Sequence, residues 1–581
     1  MSAGSSSTPT ARYIVGLVFE TLTHERDFVA LAIIYGLGIS LLSLATPIAV
    51  QVLINSVGYT ALTVPLVVLA LTLFGLLLAS GLMNAMRVHL MELFARRFYA
   101  RYTSEIALKA LYAQKPFFQD DGRITLFNRY FDILQVQKAV PVLLIGGFTV
   151  LLQAAVGFVL TAFYHPLFLA FNGVMIGLIW FIWLLWGGSA VRSAVELSQA
   201  KHRTAGWLQS LAASNGYFKS QQHIAYALQE TDGATHDYIE AHKKHFRRHF
   251  AQTVSFLVLY AAASASLLGL GGWLVIQGQL TLGQLVAAEL VLSVAFFGVS
   301  QLGTYLNYFY DLCAASEELS LFNAIEQEEP TPAELPFCES SELVFDNVRG
   351  VARGQKAQFN LRIPSGAHVQ AVSESHGVQR LFSNLLKRFD EPKGGTLTLG
   401  GNDISAIDAL ALRREVIVLD RPTVVEMSMR SYLTLAAPEA SSSQMLDVLR
   451  AVGLDTAIEE LEDGLDTHLF ATGWPLSISE TMRLKLAAAV LAKPRVLVLN
   501  QLFDTIPAVH LRAALAYLVK SSKDAPTVII FSASDRDLGL GNYLALGRKT
   551  QTFFAKHDEL ITSLATPTGP SRPSTSLMQE V

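Results

Sequence analysis

The stretch "VLVLNQLFD", residues 496–504, decides the fold. Val496 to Leu499 form an unbroken aliphatic run, the pattern of a strand buried on both faces of a parallel sheet. The run stops at two neighbouring amides, Asn500 and Gln501. Such a strand end is the edge where an open α/β sheet holds its ligands, and carboxylates are the usual chemical groups there. Here the side chains have carboxylate shape and no charge. Outward from this strand, "ELVFDNV" (342–348), "AHVQAV" (367–372), "TLTLGG" (396–401), "EVIVLD" (415–420) and "TVIIFSA" (527–533) read as further strands between helix-rich stretches. That alternation predicts an α/β domain with a largely parallel core sheet, and the charge asymmetry of the rest of the chain makes it a cytoplasmic α/β domain.

The rest of the chain has a different composition. Over 581 residues the charged fraction is 16%, against about 25% in ordinary soluble domains. Hydrophobic residues make up 51%, and the mean hydropathy is +0.37. These values point to a membrane part joined to a soluble part. A net charge of -4 carries no polybasic footprint, so nucleic acid is not an expected partner. The two cysteines, Cys313 and Cys338, read as free thiols, and no metal site is expected. The lead-in at 1–19 lacks the layout of a cleaved signal peptide and reads as disordered, as does the Pro/Ser/Thr-rich tail at 562–581. The acidic, proline-containing segment at 326–341 reads as a linker.

Three long stretches predict six spans in the bilayer. No charged residue occurs from Val29 to Met86 or from Ala139 to Val191, and Glu289 is the single charge from Phe250 to Tyr310. Each is too long for one span of about 20 residues and is broken once, by a turn without Lys or Arg. The segments between hairpins carry Arg87, Arg96, Arg97, Arg101, Lys201, Arg203, Lys243, Lys244, Arg247 and Arg248. The positive-inside rule puts these segments and both termini in the cytoplasm. Segments 92–114 and 193–213 keep apolar residues at helical spacing, so the span helices are expected to continue into the cytosol. Glu289 lies in the last span. An intramembrane carboxylate is a functional candidate by default, and a residue near the outer end of a span facing water is the alternative.

Several stretches together resemble an ATP-binding cassette (ABC) exporter half-transporter. "IPSGAHV" (363–369) is similar to the approach to the phosphate loop, and "ALRREVIVLD" (411–420) to the approach to the Q-loop. "RFDEPKGGTLTLGGNDIS" (388–405) and residues 461–500 follow the cassette outline from its middle to the Walker B strand. "TPIAVQVLINSV" (46–57), "AGWLQSLAASNGYFKS" (205–220) and "GQLTLGQLVAAELVLS" (278–293) resemble the type I secretion branch. The resemblance implies a six-span exporter domain over 20–325 and a cassette over 342–561, in a multi-pass protein of the bacterial inner membrane. It also implies a homodimer or a heterodimer with another ABC half-transporter, and a periplasmic adaptor as a further partner.

The residues that carry the family's chemistry are the ones that differ. In "SESHGVQRLF", Ser373 and Val378 stand at the first and last glycines of the phosphate loop, Gln379 at its lysine and Arg380 at its hydroxyl. Losing the lysine removes an attraction of roughly 4 kcal/mol at about 4 Å and an effective dielectric near 20. Asn500 and Gln501 replace the metal-shell aspartate and the water-activating glutamate. Pro507 stands at the D-loop aspartate, Ala533 at the switch histidine, Arg421 at the Q-loop glutamine and Ala352 at the adenine-stacking ring. The signature reads "LSISE", with Ser477 kept, Ile478 and Ser479 in place of glycines, and Glu480 last. Hydrophobic core positions are retained. The expected product is a cassette that keeps its fold without ATP hydrolysis and with no cofactor of its own, ATP and Mg²⁺ entering only if a partner subunit contributes them. Two readings follow: a structural, regulatory or ATP-independent exporter subunit, or the passive half of a heterodimeric exporter whose partner hydrolyses ATP.

Overall fold

A computed structural model describes residues 10–59, 63–116, 118, 120, 122–328 and 340–565. The chain divides into two compact units, Met1–Gln327 and Glu328–Val581. Cys338 and most of the linker at 326–341 lie outside the described residues, while Cys313 is a buried free thiol.

The first unit is helical. Among the described residues six helical segments are long and apolar enough to cross a membrane: Arg26–Ile54, Leu66–Leu111, Arg123–Ala162, Pro166–Ala213, Gln221–Ile276 and Leu282–Ala324. They are built from α2 (Arg26–Leu42), α3 (Ala45–Tyr59), α4 (Thr63–Leu111), α5 (Asp132–Val142), α6 (Phe148–Ala162), α7 (Pro166–Ala213), α8 (Gln221–Ile276) and α9 (Leu282–Ser320). At 1.5 Å per residue α8 is about 84 Å long, far more than the roughly 30 Å of a hydrocarbon core. The span helices therefore run on beyond the apolar stretch, as their amphipathic continuations predict. Leu66, Val67, Val68, Leu71, Phe74, Leu78 and Leu82 of α4 are exposed in the unit, as lipid-facing residues are. The polar continuations are tied by ion pairs instead. Asp132 is buried and holds Lys201 at 2.7 Å and His202 at 2.5 Å, and Arg129 pairs with the buried Glu318.

The disordered lead-in read over 1–19 is corrected by α1 (Ala11–Thr23). Ile14, Leu17, Val18 and Thr21 recur at helical spacing and are buried, so the segment gains enough apolar burial to offset the entropy of ordering. At the other end the helix His557–Ala565 runs past the boundary at 562 drawn from composition. Its Leu560, inside that boundary, is fully buried and anchors the helix, which carries its last turn into the Ser/Thr-rich composition.

The second unit holds two sheets and a short pair. Its strands are β1 (Leu343–Ala352), β2 (Gln355–Ile363), β3 (His368–Ser373), β4 (Thr396–Leu399), β5 (Asn402–Asp403), β6 (Val416–Leu419), β7 (Met427–Ser428), β8 (His468–Leu469), β9 (Val496–Leu499), β10 (Thr527–Phe531), β11 (Asn542–Leu546) and β12 (Gln551–Phe554). The six-stranded sheet has the order β12-β11-β3-β10-β9-β6, parallel except for β12. The four-stranded sheet β2-β1-β4-β5 is antiparallel. β9 lies between β10 and β6, with Val498 opposite both Ile529 and Val418. Leu497 and Leu499 join a core with Met482, Leu486 and Leu515, whereas Val496 and Val498 join another with Phe359, Phe382 and Phe531. Burial on both faces is the reason for the unbroken aliphatic run.

Candidate functional site

The carboxyl end of β9 carries Asn500 and Gln501 to the sheet edge. Asn500 donates from Nδ2 to the Asp420 carbonyl at 2.9 Å, and its Oδ1 accepts from the Leu502 amide at 3.1 Å. Its own backbone N–H donates to the Leu419 carbonyl at 3.1 Å. One side chain thereby ties the strand end to β6 and caps the turn Gln501–Thr505. An aspartate here keeps only the acceptor half of that arrangement. Gln501 donates from Nε2 to Oε1 of Gln379 at 2.6 Å. Gln379 is 3% exposed, so this bond satisfies a carboxamide that water does not reach.

Gln379 comes from α10 (His376–Leu386), which follows β3. Ser375 is its N-cap, accepting from the Val378 amide at Oγ (3.4 Å) and at its carbonyl (3.0 Å). The Gln379 amide donates to that carbonyl at 3.2 Å, and the Glu374 amide to the Leu546 carbonyl at 2.9 Å. Val378 is helical and fully buried, so the left-handed backbone of a glycine loop is absent at that position. The backbone N–H groups of Glu374, Val378 and Gln379, at positions where a phosphate loop turns such groups toward its ligand, are committed inside the chain. Glu374 holds Arg548 through its amide (2.8 Å), Nε (2.7 Å) and Nη2 (2.6 Å), and the Arg548 guanidinium keeps this carboxyl below its ordinary range. Ala352 ends β1 and is buried. The next residue, Arg353, has φ of 47°, and its stem lies over Gly377, where an added Cβ would meet Arg353 Cγ at 2.9 Å. An arginine stem thus covers the first turn of α10. Arg380 is exposed on the same helix, and Ser373 ends β3 with Oγ donating to the Ser375 carbonyl at 3.2 Å.

The signature region forms a second structured end. Ser477 caps the helix Ile478–Ala492 in a capping box: its Oγ accepts from the Glu480 amide at 3.3 Å, and Glu480 Oε2 accepts from the Ser477 amide at 2.8 Å. Ser479 Oγ donates to the Thr505 carbonyl at 3.1 Å, and Ile478 is 64% exposed. Asp504 accepts from the Ala533 amide at 2.8 Å, and Pro507 caps the helix Ala508–Ser521. Arg421 follows Asp420 at the end of β6, near Lys485. Lys485 is a residue that sequence reasoning missed. It is 9% exposed and donates from Nζ to the Thr423 carbonyl at 2.7 Å, and burial pushes its ammonium down to about 8. No pattern in "MRLKLAAAV" distinguishes it from a surface lysine. Glu480's capping role also went unread, although S-x-x-E ahead of an apolar helix carries its signal.

A magnesium–nucleotide complex needs anionic or hydroxyl oxygens on the metal and a cation on the phosphates. The side chains at those positions are two amides tied to the protein, a buried glutamine and an arginine. Apart from the exposed Arg380, that donor set lacks both the oxygens a metal needs and the phosphate-loop lysine, and it does not fit the complex.

Glu289 belongs to the other unit. It lies in the early turns of α9, with Oε1 accepting from Ser293 Oγ at 3.2 Å and Oε2 buried without a hydrogen-bond partner among the described residues.

No protein-family model matches the chain. It is 24% identical over 519 residues to "ABC multidrug transporter mdr2" of Aspergillus fumigatus, covering 83% of this chain and 64% of that protein. It is 24% identical over 369 residues to the ABC transporter ATP-binding protein YknV of Bacillus subtilis, covering 61% and 59%. It is 28% identical over 240 residues to the alpha-hemolysin translocation ATP-binding protein HlyB of Escherichia coli O157:H7, covering 40% and 34%. The match thus spans between about a third and two thirds of the length of these curated relatives. Among solved structures, a bacterial Atm1-family ABC exporter with ATP bound superposes with a TM-score of 0.77 at 16% identity, over 94% of this chain and 99% of that one. The fold is that of an ABC exporter half-transporter, six membrane helices followed by an α/β cassette.

Proposed function

We propose that this chain is a type I secretion-like exporter subunit whose cassette holds its shape without binding or hydrolysing ATP. It acts as a structural, regulatory or ATP-independent component of a transport complex in the bacterial inner membrane. The partner class is a second copy or another half-transporter, with a periplasmic adaptor beyond it. The observation that carries the reading is the 2.6 Å bond between Gln501 and Gln379. It joins the position of the water-activating carboxylate to that of the phosphate-binding lysine, so two ATP-handling positions satisfy each other. Amides suit such a closed edge. Two carboxylates facing each other without a metal would repel and be driven toward protonation.

The passive half of a heterodimer is supported less well. Its signature helix would have to offer Ser477 and free N–H groups to a nucleotide held by the partner. Glu480 instead holds the Ser477 amide and sets a negative charge at that helix end. The test is equilibrium binding of Mg-ATP to the purified full chain. No saturable binding up to millimolar nucleotide is expected, and a dissociation constant below about 1 mM, a binding free energy beyond roughly -4 kcal/mol, sinks the proposal.

A further inference from the structure

The membrane unit carries a charged notch beside α1 that the cassette chemistry does not use. α1 lies beside the ends of the charge-free runs, on the side that the positive-inside rule assigns to the cytoplasm. Its Ala11 stands 4.0 Å from where a Cβ on Gly188 would lie, close to the end of the charge-free run at Val191. Its other end leads into Arg26, the start of the first span. Ile14, Leu17 and Val18 are buried, while Tyr13 is 59% and Phe19 72% exposed. Exposed aromatics on an amphipathic helix at this level are suited to the headgroup region.

Between α1, α4 and α9 is a notch of about 70 Å³ lined by Glu20, His24, Arg101 and Glu105 among others. It has room for several groups of water size, each needing roughly 10–15 Å³ on this measure. Behind it Glu25, with a fully buried side chain, lies 3.5 Å from Arg97 and 3.4 Å from Arg101. Two guanidiniums against one carboxylate leave an excess positive charge around Glu25, and of the two Arg101 lines the notch. Arg101 is held there against the Phe98 and Tyr102 rings, at 5.7 and 5.0 Å from their centroids. At the rim Glu105 is paired with Lys109 at 3.0 Å, whereas Glu20 has no ion-pair partner among the described residues. The notch therefore offers a cation at depth and a carboxylate at its mouth, with an imidazole beside them.

We propose that this notch binds the headgroup of an inner-leaflet phospholipid bearing a primary amine, of the phosphatidylethanolamine class. The phosphate meets Arg101 and His24, and the ammonium donates to Glu20. A choline headgroup has no N–H to donate, and a glycerol headgroup has no cation for Glu20. A lipid is favoured over a free phosphoamine because the notch adjoins exposed aromatics and the start of a span.

The experiment is native mass spectrometry of the purified full chain in micelles holding equal amounts of phosphatidylethanolamine, phosphatidylcholine and phosphatidylglycerol. Wild type is expected to retain the ethanolamine lipid about fivefold over each of the others, the scale of one charge pair at a partly exposed site. Glu20→Gln, an exposed position, is expected to bring the preference over choline to about one with an unchanged melting temperature. Excess free phosphoethanolamine is expected to leave the adduct in place. Equal retention of the three lipids by wild type overturns the proposal, as does preference for glycerol. An unchanged preference in Glu20→Gln, or displacement by free phosphoethanolamine, overturns it too.

Discussion

Replacing Gln501 with leucine probes the amide pair directly. Gln379 is 3% exposed, and its Oε1 accepts from Gln501 Nε2 at 2.6 Å. Gln501→Leu removes that donor and leaves a buried carboxamide oxygen without a partner, at a cost of about 1–3 kcal/mol. Gln379→Leu does the same to Gln501, with a smaller penalty because Gln501 is only half-buried. In the double variant both polar ends are gone, so neither amide is left unpaired. The double change should therefore be closer to wild type than Gln501→Leu alone, with a coupling energy of about 1–2 kcal/mol. The assay is amide hydrogen exchange on the full chain, followed in β9 and α10, since global unfolding of a two-unit membrane protein is not two-state. A loss of about 2 kcal/mol speeds exchange through local opening by about 30-fold. If the pair is incidental, the single variants exchange like wild type. If the two effects simply add in the double variant, the reasoning fails.

Asn500→Asp looks like a restoration and should be a loss. The carboxylate has no proton for the Asp420 carbonyl, 2.9 Å from Nδ2, and sets two acceptors face to face at a site 7% exposed. A cost of about 1–3 kcal/mol is expected, read as a lower melting temperature of the cassette, and an unchanged melt counts against the assignment. Ser477→Ala should cost about 1 kcal/mol through the lost cap, while Glu480→Gln, which can still accept from the Ser477 amide, should cost less. The reverse order in thermal unfolding would show that the charge of Glu480 has another use. Lys485 predicts a pH effect. In the fold its ammonium loses its proton near 8, against an ordinary 10.5 when unfolded. The unfolded chain thus binds more protons between those values, and stability should rise from pH 8 toward pH 10. Lys485→Met should lack that part of the rise in denaturant titrations, and an identical pH profile in both proteins contradicts the burial argument.

The legible parts of the fold were those set by local composition. The charge-free runs show the spans because hydrocarbon tolerates few charges, and β9 and β10 show themselves because both faces of each are buried. α1 was hidden because its four inward residues follow directly on the Ser/Thr-rich run at 1–10, whose composition set the reading of the whole lead-in. β2, β11 and β12 were missed because none is buried along its whole length: β2 alternates buried and exposed residues with charges on its outer face, Asn542 of β11 is exposed, and β12 has no fully buried residue. The candidate site positions were readable one at a time, as differences from the motifs the sequence resembles. That Gln379 meets Gln501, 122 residues away, was not, because the meeting depends on how α10 packs against the end of β9. Arg353 over Gly377 was illegible on the same grounds.

The most direct measurement is equilibrium dialysis of labelled ATP with Mg²⁺ against the purified full chain, with the melting temperature followed in parallel. A cassette that holds no nucleotide shows no saturable binding up to about 1 mM and no nucleotide-dependent rise in melting temperature, since a ligand that does not bind cannot shift the folding equilibrium. Saturable binding below that concentration, abolished by Gln379→Leu, would contradict it.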